Sequence, residues 1–112
     1  MAGYFEITAR PDGRFMFNLK AGNDEVILTS EAYTTKAACM NGIESVRTNA
    51  SEDGRYRRTT TPDGQFRFAL EAGNGQAIGA SGYYETAAEL DRGIESVKKS
   101  APDAGVKDLT QR

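Results

Sequence analysis

The sequence predicts an α+β fold in which two tandem β-β-β-α-β repeats form one antiparallel sheet with two helices packed on one face. The chain repeats itself at an offset of 51 residues, and about 21 of the 47 positions in 4–50 are identical to their equivalents in 55–101. In each copy the hydrophobic period changes from two residues to that of a helix. A half of about 50 residues is marginal alone, so we expect the halves to share one core.

The first strand of each copy ends at a recognisable turn. Residues 4–10 alternate between apolar and polar side chains, which is the period of a half-buried strand. Pro-Asp-Gly follows at 11–13 and returns at 62–64. This tripeptide favours a turn because proline fixes φ, aspartate bonds to the backbone and glycine accepts a positive φ.

The second strand has the clearest alternation in the chain. In residues 14–21 and 65–72, one face is apolar in both copies and the other face is mostly polar. An antiparallel sheet that is covered on one side has this pattern. The shared apolar positions are Phe15, Phe17, Leu19 and Ala21 in the first copy and Phe66, Phe68, Leu70 and Ala72 in the second.

A third strand follows a second turn in each copy. The second copy has Gly73-Asn74-Gly75 there, and Asn-Gly is a strong hairpin signal because both residues tolerate positive φ. Residues 26–29 and 77–80 are the predicted third strands. Gly79 within the later strand predicts a bulge or the close approach of another backbone.

From residue 35 and again from residue 86, the hydrophobic period is helical. Thr35 and Thr86 are suited to be the N-caps, and Pro102 helps to end the second helix. Each helix contains a glycine, Gly42 or Gly93, which costs about 1 kcal/mol relative to alanine. We interpret these glycines as part of a small-residue stripe that lets each helix pack closely on the sheet or on the other helix.

We therefore predict a single domain over residues 1–112. Repeat one covers 4–54 and repeat two covers 55–110. The strand 55–61 is shared between them, because it follows the first helix and also opens the second repeat. Its counterpart after the second helix is a short final strand at 106–110.

The residues also carry a family resemblance. Gly-Tyr-Phe-Glu stands at 3–6, Phe-x-Phe-x-Leu-Lys-Ala-Gly-Asn at 15–23, Ile-Leu-Thr-Ser-Glu-x-Tyr at 27–33 and Gly-Ile-x-Ser-Val at 42–46. In these motifs the chain resembles the YegP-like family, small bacterial proteins with a domain of unknown function that often occurs in two tandem copies. The resemblance implies pseudo-twofold symmetry, with the strand after each helix exchanged into the other repeat. It implies no activity and no catalytic residues.

Composition excludes several classes of function. The chain has no histidine, the side chain most often used as a general acid or base near neutral pH, and one cysteine cannot build a zinc site. We therefore expect no metal and no cofactor. The net charge of −2 argues against a dedicated nucleic-acid binder. Without an apolar segment long enough for a membrane helix or a signal peptide, we expect a cytoplasmic protein that makes no membrane contact.

The strongest candidate binding residues are those that the two copies do not share. Arg55, Arg57 and Arg58 occupy the positions that hold Tyr4, Glu6 and Ile7 in the first copy, so the two strands differ in charge. We interpret the arginines as a solvated strand face with local ion pairs. The alternative is a strip that binds phosphate or nucleic acid, extended by two lysines at 98 and 99.

Tyr33 and Tyr84 precede the helices in both copies. We expect each ring to pack on the sheet with its hydroxyl in water, and a ligand-lining role at the strand–helix junction is the alternative. Four other paired residues, Asp12, Asp63, Asn23 and Asn74, are explained by turn chemistry. The position equivalent to Cys39 in the second copy holds a leucine. We therefore interpret Cys39 as a buried apolar residue rather than a reactive thiol.

Two hypotheses for the function remain open. The first is a non-enzymatic cytosolic module that binds an unknown protein or small ligand, with the polar sheet face around Met16 and Arg67 as one candidate surface. The alternative is a small enzyme that uses Glu44, Glu95, the tyrosines or the arginines, or a protein that contacts phosphate or nucleic acid through 55–58. Because two repeats in one chain can complete the sheet alone, we predict a monomer.

Overall fold

A computed structural model describes residues 3–110 and confirms the predicted α+β fold. Every predicted strand and helix is present, and the final strand lies one or two residues earlier than expected. A short 3-10 turn, Asp53–Arg55, leads into the fourth strand. The elements are β1 (Tyr4–Ala9), β2 (Phe15–Lys20), β3 (Val26–Ser30), α1 (Lys36–Asn49), β4 (Tyr56–Thr60), β5 (Phe66–Glu71), β6 (Ala77–Ala80), α2 (Ala87–Ser100) and β7 (Gly105–Asp108).

The strands form one seven-stranded sheet in the order β4-β5-β6-β3-β2-β1-β7. All neighbours are antiparallel except β1 and β7, which run parallel. The sheet is therefore mixed, with one parallel pair in place of the wholly antiparallel arrangement expected. The reason is that β7 is reached through helix α2, and a strand that follows a crossover can run parallel to its neighbour.

The two halves meet at β3 and β6, in the middle of the sheet. The pairing there is short, with Thr29 opposite Ala80 and Ser30 opposite Gly79. A Cβ atom on Gly79 would lie 2.8 Å from the carbonyl oxygen of Thr29. The close backbone approach predicted from this glycine is thus confirmed, and it occurs where the two repeats join.

The core lies between the sheet and the two helices. The rings of Phe17 and Phe68, at the centre of the shared apolar face, are fully buried. Phe5 meets Phe17 edge-on at 5.6 Å, and Tyr56 meets Phe68 in the same way at 5.6 Å. The two halves therefore place equivalent aromatic pairs in one continuous core, as the duplication predicts.

The helices begin as the sequence indicates. The Thr35 hydroxyl accepts a hydrogen bond from the Ala38 backbone N–H at 3.0 Å, and the Thr86 hydroxyl accepts one from the Glu89 N–H at 3.1 Å. Both threonines have extended backbone geometry, as N-caps do. These caps fix where the chain turns from β3 and β6 into the helices, and so fix the segment that carries the two tyrosines.

Each helix is followed by a strand that pairs in the other half of the sheet. β4 follows α1 and pairs with β5, whereas β7 follows α2 and pairs with β1. This is the exchange that the family resemblance implies. It leaves an odd number of strands, because β4 is at once the strand after α1 and the first strand of the second repeat.

Candidate functional site

A cleft lies between helix α1 and the β5–β6 hairpin of the other repeat. We call it the Tyr33 cleft. Its volume is about 650 Å³, and it opens to solvent. One wall belongs to the first repeat and the other to the second. The lining includes Glu31, Tyr33, Asn41, Gly42, Ser45, Asn74, Gln76 and Ile78.

A second cleft, which we call the Tyr84 cleft, occupies the equivalent place in the other half. Its volume is about 330 Å³, and it lies between helix α2 and the β2–β3 hairpin. Every one of its lining residues stands 51 positions from a residue of the Tyr33 cleft. The lining consists of Glu25, Ile27, Tyr84, Glu89, Arg92, Gly93 and Ser96. The duplication has therefore produced two equivalent clefts.

The backbone holds each tyrosine in place. Tyr33 exchanges two hydrogen bonds with Phe15, both of 2.7 Å, and Tyr84 exchanges bonds of 2.7 and 2.8 Å with Phe66. The Tyr33 ring stacks on Phe17 with centroids 6.3 Å apart, and the Tyr84 ring stacks on Phe68 at 6.4 Å. Each tyrosine is thus a half-buried extension of the core, as expected, and it also lines a cleft.

The helical glycines face these tyrosines. A Cβ atom on Gly42 would clash with the hydroxyl oxygen of Tyr33, and one on Gly93 would clash with that of Tyr84. The close packing that we predicted for the glycines is therefore made against a tyrosine ring rather than against the other helix. Tyrosine and glycine both recur at the 51-residue offset, and this co-occurrence is the sequence signal that could have revealed the contact.

Burial makes the two phenols harder to ionise. Burial raises the pKa of Tyr33 above its ordinary value, and Cys39 and Glu31 raise it further. Burial also raises the pKa of Tyr84, with Glu25 and Glu89 adding to the effect. Both hydroxyls therefore stay protonated at neutral pH and can donate a hydrogen bond to a ligand. Neither is prepared to act as a base.

The two clefts differ in charge at the positions that the repeats do not share. Asn41 and Gln76 of the Tyr33 cleft correspond to Arg92 and Glu25 of the Tyr84 cleft. Glu31 is the one charged residue that lines the Tyr33 cleft among residues 3–110. The first cleft is thus mainly neutral and polar, whereas the second contains carboxylates and a guanidinium. Neither Asn41 nor Gln76 could be identified as a site residue from the sequence, because the β5–β6 hairpin meets helix α1 only in the folded chain.

The three arginines do not form one strip. Arg57 pairs with Glu71 across the strands at 2.8 Å, and Arg58 reaches Asp91 of helix α2 at 3.5 Å. As neighbours in a strand, these two side chains point to opposite faces of the sheet. Arg55 instead donates from Nε to the Asn49 side-chain oxygen at 3.1 Å. All three have local partners, which agrees with a solvated strand face.

The remaining candidates have structural partners. Asp12, Asn23 and Asn74 accept hydrogen bonds from backbone N–H groups two residues later, at 3.0–3.1 Å, as turn residues do. Asp63 accepts from the Thr61 hydroxyl in the corresponding turn. Cys39 is fully buried, and burial raises the pKa of its thiol to about 11. A reactive thiolate at neutral pH is therefore not expected.

Glu44 and Glu95 lie in ion pairs on the outer surfaces of the helices. Glu44 pairs with Arg47, and Glu95 pairs with Lys98 at 3.5 Å. Within residues 3–110, no group of three or more cysteine and carboxylate side chains is arranged to hold a metal ion. In the same part of the chain, no helix is long and apolar enough to cross a membrane.

The fold defines a tandem-repeat α+β protein whose two halves share one sheet. The DUF1508 family, described as a domain of unknown function, matches the chain twice, at residues 11–56 and 62–108. The chain therefore belongs to this family, and the YegP-like resemblance is confirmed. It is 53% identical over 111 residues to a UPF0339 protein of Bordetella pertussis, with 99% of each chain covered.

Two further relatives come from Escherichia coli and Shewanella oneidensis. The UPF0339 protein YegP of Escherichia coli O157:H7 is 49% identical over 110 residues, with 98% of this chain and 100% of YegP covered. The NMR structure of yegP from E. coli matches the whole chain and 97% of yegP, with a TM-score of 0.94 and 47% identity. The NMR structure of UPF0339 protein SO3888 from Shewanella oneidensis has a TM-score of 0.92 and 45% identity, with 97% and 92% covered.

Proposed function

We propose that the protein is a non-enzymatic binding module that holds a small polar ligand in the Tyr33 cleft. The observation that carries this proposal is the cleft itself. Its volume of about 650 Å³ lies within the range of about 300–1,000 Å³ typical of small-molecule sites. Its floor is a tyrosine fixed by stacking and by two backbone hydrogen bonds, so this part of the site is formed before a ligand arrives.

The lining selects the chemistry of the ligand. Asn41, Asn74 and Gln76 offer amide groups, Ser45 and Tyr33 offer hydroxyls, and the apolar contribution comes from alanines and an isoleucine. Amides and hydroxyls both donate and accept hydrogen bonds. With a single carboxylate, Glu31, in its lining, the cleft favours a neutral or singly cationic molecule over an anion.

Binding accounts for these side chains better than catalysis. The Tyr33 phenol is protonated at neutral pH, as a tyrosine ordinarily is, and burial raises its pKa further from that range. The two repeated glutamates lie outside the cleft and pair with neighbouring cations. A general acid–base reaction needs groups within hydrogen-bond reach of one substrate, and the candidates for an enzyme are dispersed over separate surfaces.

We further propose that the module works as a monomer in the cytoplasm. The single cysteine is buried and unpaired within the described residues, which suits a reducing compartment. One chain supplies all seven strands of the sheet and both halves of the core. A sedimentation mass near twice the chain mass of 12.1 kDa would contradict the monomer.

The test is a titration of the full ¹⁵N-labelled chain with three matched panels of small molecules: neutral amides and polyols, primary amines, and carboxylates. We expect saturable amide shifts confined to helix α1 and the β5–β6 hairpin, with neutral and cationic compounds only. Asn41→Arg with Gln76→Glu places at two positions of the Tyr33 cleft the charged residues that stand there in the Tyr84 cleft, and should abolish these shifts. The matched control, Arg92→Asn with Glu25→Gln, should leave them unchanged.

A different pattern would reject the proposal. Shifts that centre on the Tyr84 cleft, or that respond equally to the two double variants, would assign the ligand elsewhere. Turnover of any compound during the titration, visible as new ligand signals, would contradict a module without catalytic chemistry.

A further inference from the structure

The β1 edge of the sheet shows how this fold accepts an added strand. β7 lies parallel to β1, with Gly105 opposite Tyr4 and Asp108 opposite Ile7. Two cations of helix α1 hold the segment at its ends. Arg47 donates from its guanidinium to the Ala104 carbonyl oxygen at 2.6 Å, and Lys36 pairs with the Asp108 carboxylate at 2.9 Å.

The β4 edge is the equivalent edge of the other half, and it has no added strand among residues 3–110. β4 pairs with β5 on one side and ends the sheet on the other. The side chains from Arg57 to Thr60 are all exposed. The cause is topological, because the strand after α1 is β4 itself, whereas the strand after α2 is β7. An unpaired edge offers a row of N–H and C=O groups to any extended chain.

Helix α2 presents a cation beside this edge. Lys98 is the equivalent of Arg47, and its ammonium lies 5.8 Å from the centre of the Tyr56 ring, just as Arg47 lies 5.4 Å from the ring of Phe5. Lys98 bonds at present to Asp53, an exposed carboxylate, at 2.8 Å. It can therefore reach a backbone carbonyl of a segment added to β4, as Arg47 reaches that of Ala104.

The charges at the two edges have opposite signs. In β1, Glu6 stands opposite Lys107 of the added strand. The equivalent of Glu6 in β4 is Arg57, which is followed by Arg58. By the same register, a segment added to β4 would place an apolar residue opposite Tyr56 and two further residues opposite the arginines. Carboxylates at those two positions would meet guanidinium groups that still have unused donors.

From this arrangement we infer that the β4 edge binds an extended, acidic segment of a partner protein as an eighth strand, parallel to β4. The segment has the pattern apolar–acidic–acidic opposite Tyr56, Arg57 and Arg58. This is strand addition of the kind by which many modules recognise peptides. A second copy of the chain is a poor occupant, because joining two β4 edges brings the arginines of both copies together. This site is separate from the Tyr33 cleft and does not depend on it.

The experiment uses the full chain and a seven-residue peptide, Ala-Gly-Val-Glu-Asp-Leu-Thr, patterned on residues 104–110 with glutamate in place of Lys107. We expect saturable NMR shifts at the β4 amides and at Lys98. Arg57→Glu with Arg58→Glu should weaken binding at least tenfold, and a Lys-Lys version of the peptide should bind this variant better than it binds the unmodified chain. Arg10→Glu with Arg14→Glu, in the exposed turn after β1, is the matched control and should bind normally.

Four results would overturn the inference. Equal binding of a peptide that is N-methylated at the two acidic residues would show simple charge attraction rather than strand pairing. Tighter binding of a thymidine oligonucleotide than of the peptide at the same salt concentration would assign the arginines to nucleic acid. If the unmodified chain dimerises and the Arg57→Glu, Arg58→Glu variant dimerises to a different extent, the edge would be assigned to a second copy. Failure of the peptide to shift any β4 amide at millimolar concentration would also reject it.

Discussion

The two outer regions of the sheet are built from equivalent strands and end differently. In β1, Phe5 and Ile7 face the helices and are fully buried, and β7 covers the edge. In β4, Tyr56 is still buried, but Arg58 takes the place of Ile7 and is exposed. Charged side chains on an edge strand discourage uncontrolled pairing. The difference teaches that both halves kept the same core after duplication. The residues at the two edges differ because β7 covers the β1 edge, whereas no strand among residues 3–110 covers the β4 edge.

A cross-strand ion pair sharpens this contrast. Glu6 pairs with Lys20 at 3.0 Å in the first half, and Arg57 pairs with Glu71 at 2.8 Å in the second. The four residues occupy equivalent positions, and the charges are exchanged within the pair. The geometry of the pair is therefore retained, whereas the sign of the charge presented at the edge is reversed. The β1 edge, which β7 covers, and the open β4 edge therefore present opposite charges on the same backbone arrangement.

The largest effect is expected from exchanging the residues that distinguish the two edges. Ile7→Arg would bury a guanidinium at a fully buried position and should cost about 5 kcal/mol, because a buried unpaired charge is among the most damaging changes. Arg58→Ile, the reverse change at the open edge, should alter the free energy of unfolding by less than about 0.5 kcal/mol. Urea unfolding followed by circular dichroism measures both.

This pair of variants can contradict the comparison in two ways. A small cost for Ile7→Arg would mean that the β1 edge opens easily and that β7 protects little. A large cost for Arg58→Ile would mean that the ion pair between Arg58 and Asp91 matters more than its exposure indicates.

The core should behave alike in the two halves. Phe17→Ala and Phe68→Ala each remove a fully buried ring that stacks on a tyrosine. Each should cost about 3–5 kcal/mol, since the lost burial is joined by the energy of a cavity. Thermal or urea unfolding of the two single variants gives the comparison. A cost below about 1 kcal/mol at either site would contradict the equivalence of the halves.

Much of the fold could be predicted from local patterns. Alternation, the repeated Pro-Asp-Gly turns and the threonine caps each depend on a few neighbouring residues, and all were found where they were expected. The parallel pairing of β7 could not be derived in this way, because the order of strands in a sheet depends on contacts between residues far apart in the chain. β7 lies about 100 residues from its partner β1.

The candidate site could be predicted only in part, for the same reason. Tyr33 was identified as a possible ligand-lining residue from its place before the helix. Asn74 and Gln76, which form the opposite wall of its cleft, belong to the other repeat and reach it only after the halves join at β3 and β6. The repeat comparison does indicate where to look, because the two clefts differ at positions that the copies do not share.

A smaller effect is expected at the contact between Gly42 and Tyr33. Gly42→Ala should gain about 1 kcal/mol of helix propensity and lose about 2 kcal/mol to crowding of the tyrosine, a net loss of about 1 kcal/mol. In a Tyr33→Ala background the crowding is gone, so Gly42→Ala should stabilise the protein instead. Gly93→Ala, tested with and without Tyr84→Ala, should repeat this reversal. Additive effects in both halves would show that the glycines are retained for another reason.

The smallest expected effect concerns acid, and it should separate the covered edge from the open one. Hydrogen bonds from the Thr110 hydroxyl, the Lys36 ammonium and the Thr110 backbone N–H lower the pKa of Asp108 to about 2. Because the folded pKa lies below the ordinary value of about 3.9, the ionised carboxylate stabilises the folded state above about pH 4. This contribution is lost as the pH falls through about 2.

We therefore expect the end of β7 to loosen between about pH 4 and pH 2. β4 should change less, because it pairs with β5 over five residues and its arginines meet exposed or neighbouring carboxylates, Glu71 and Asp91, rather than an anchor at the strand's own end. The measurement is an NMR titration of the Asp108 carboxyl carbon together with the amide signals of Val106 and Lys107. Asp108→Asn should remove the transition and leave β7 loosened at every pH. An Asp108 titration near pH 4, or equal changes in β4 and β7, would show that Lys36 does not anchor the added strand. In that case the contrast between the edges would rest on backbone pairing alone, and an added strand at β4 would need no cation from helix α2.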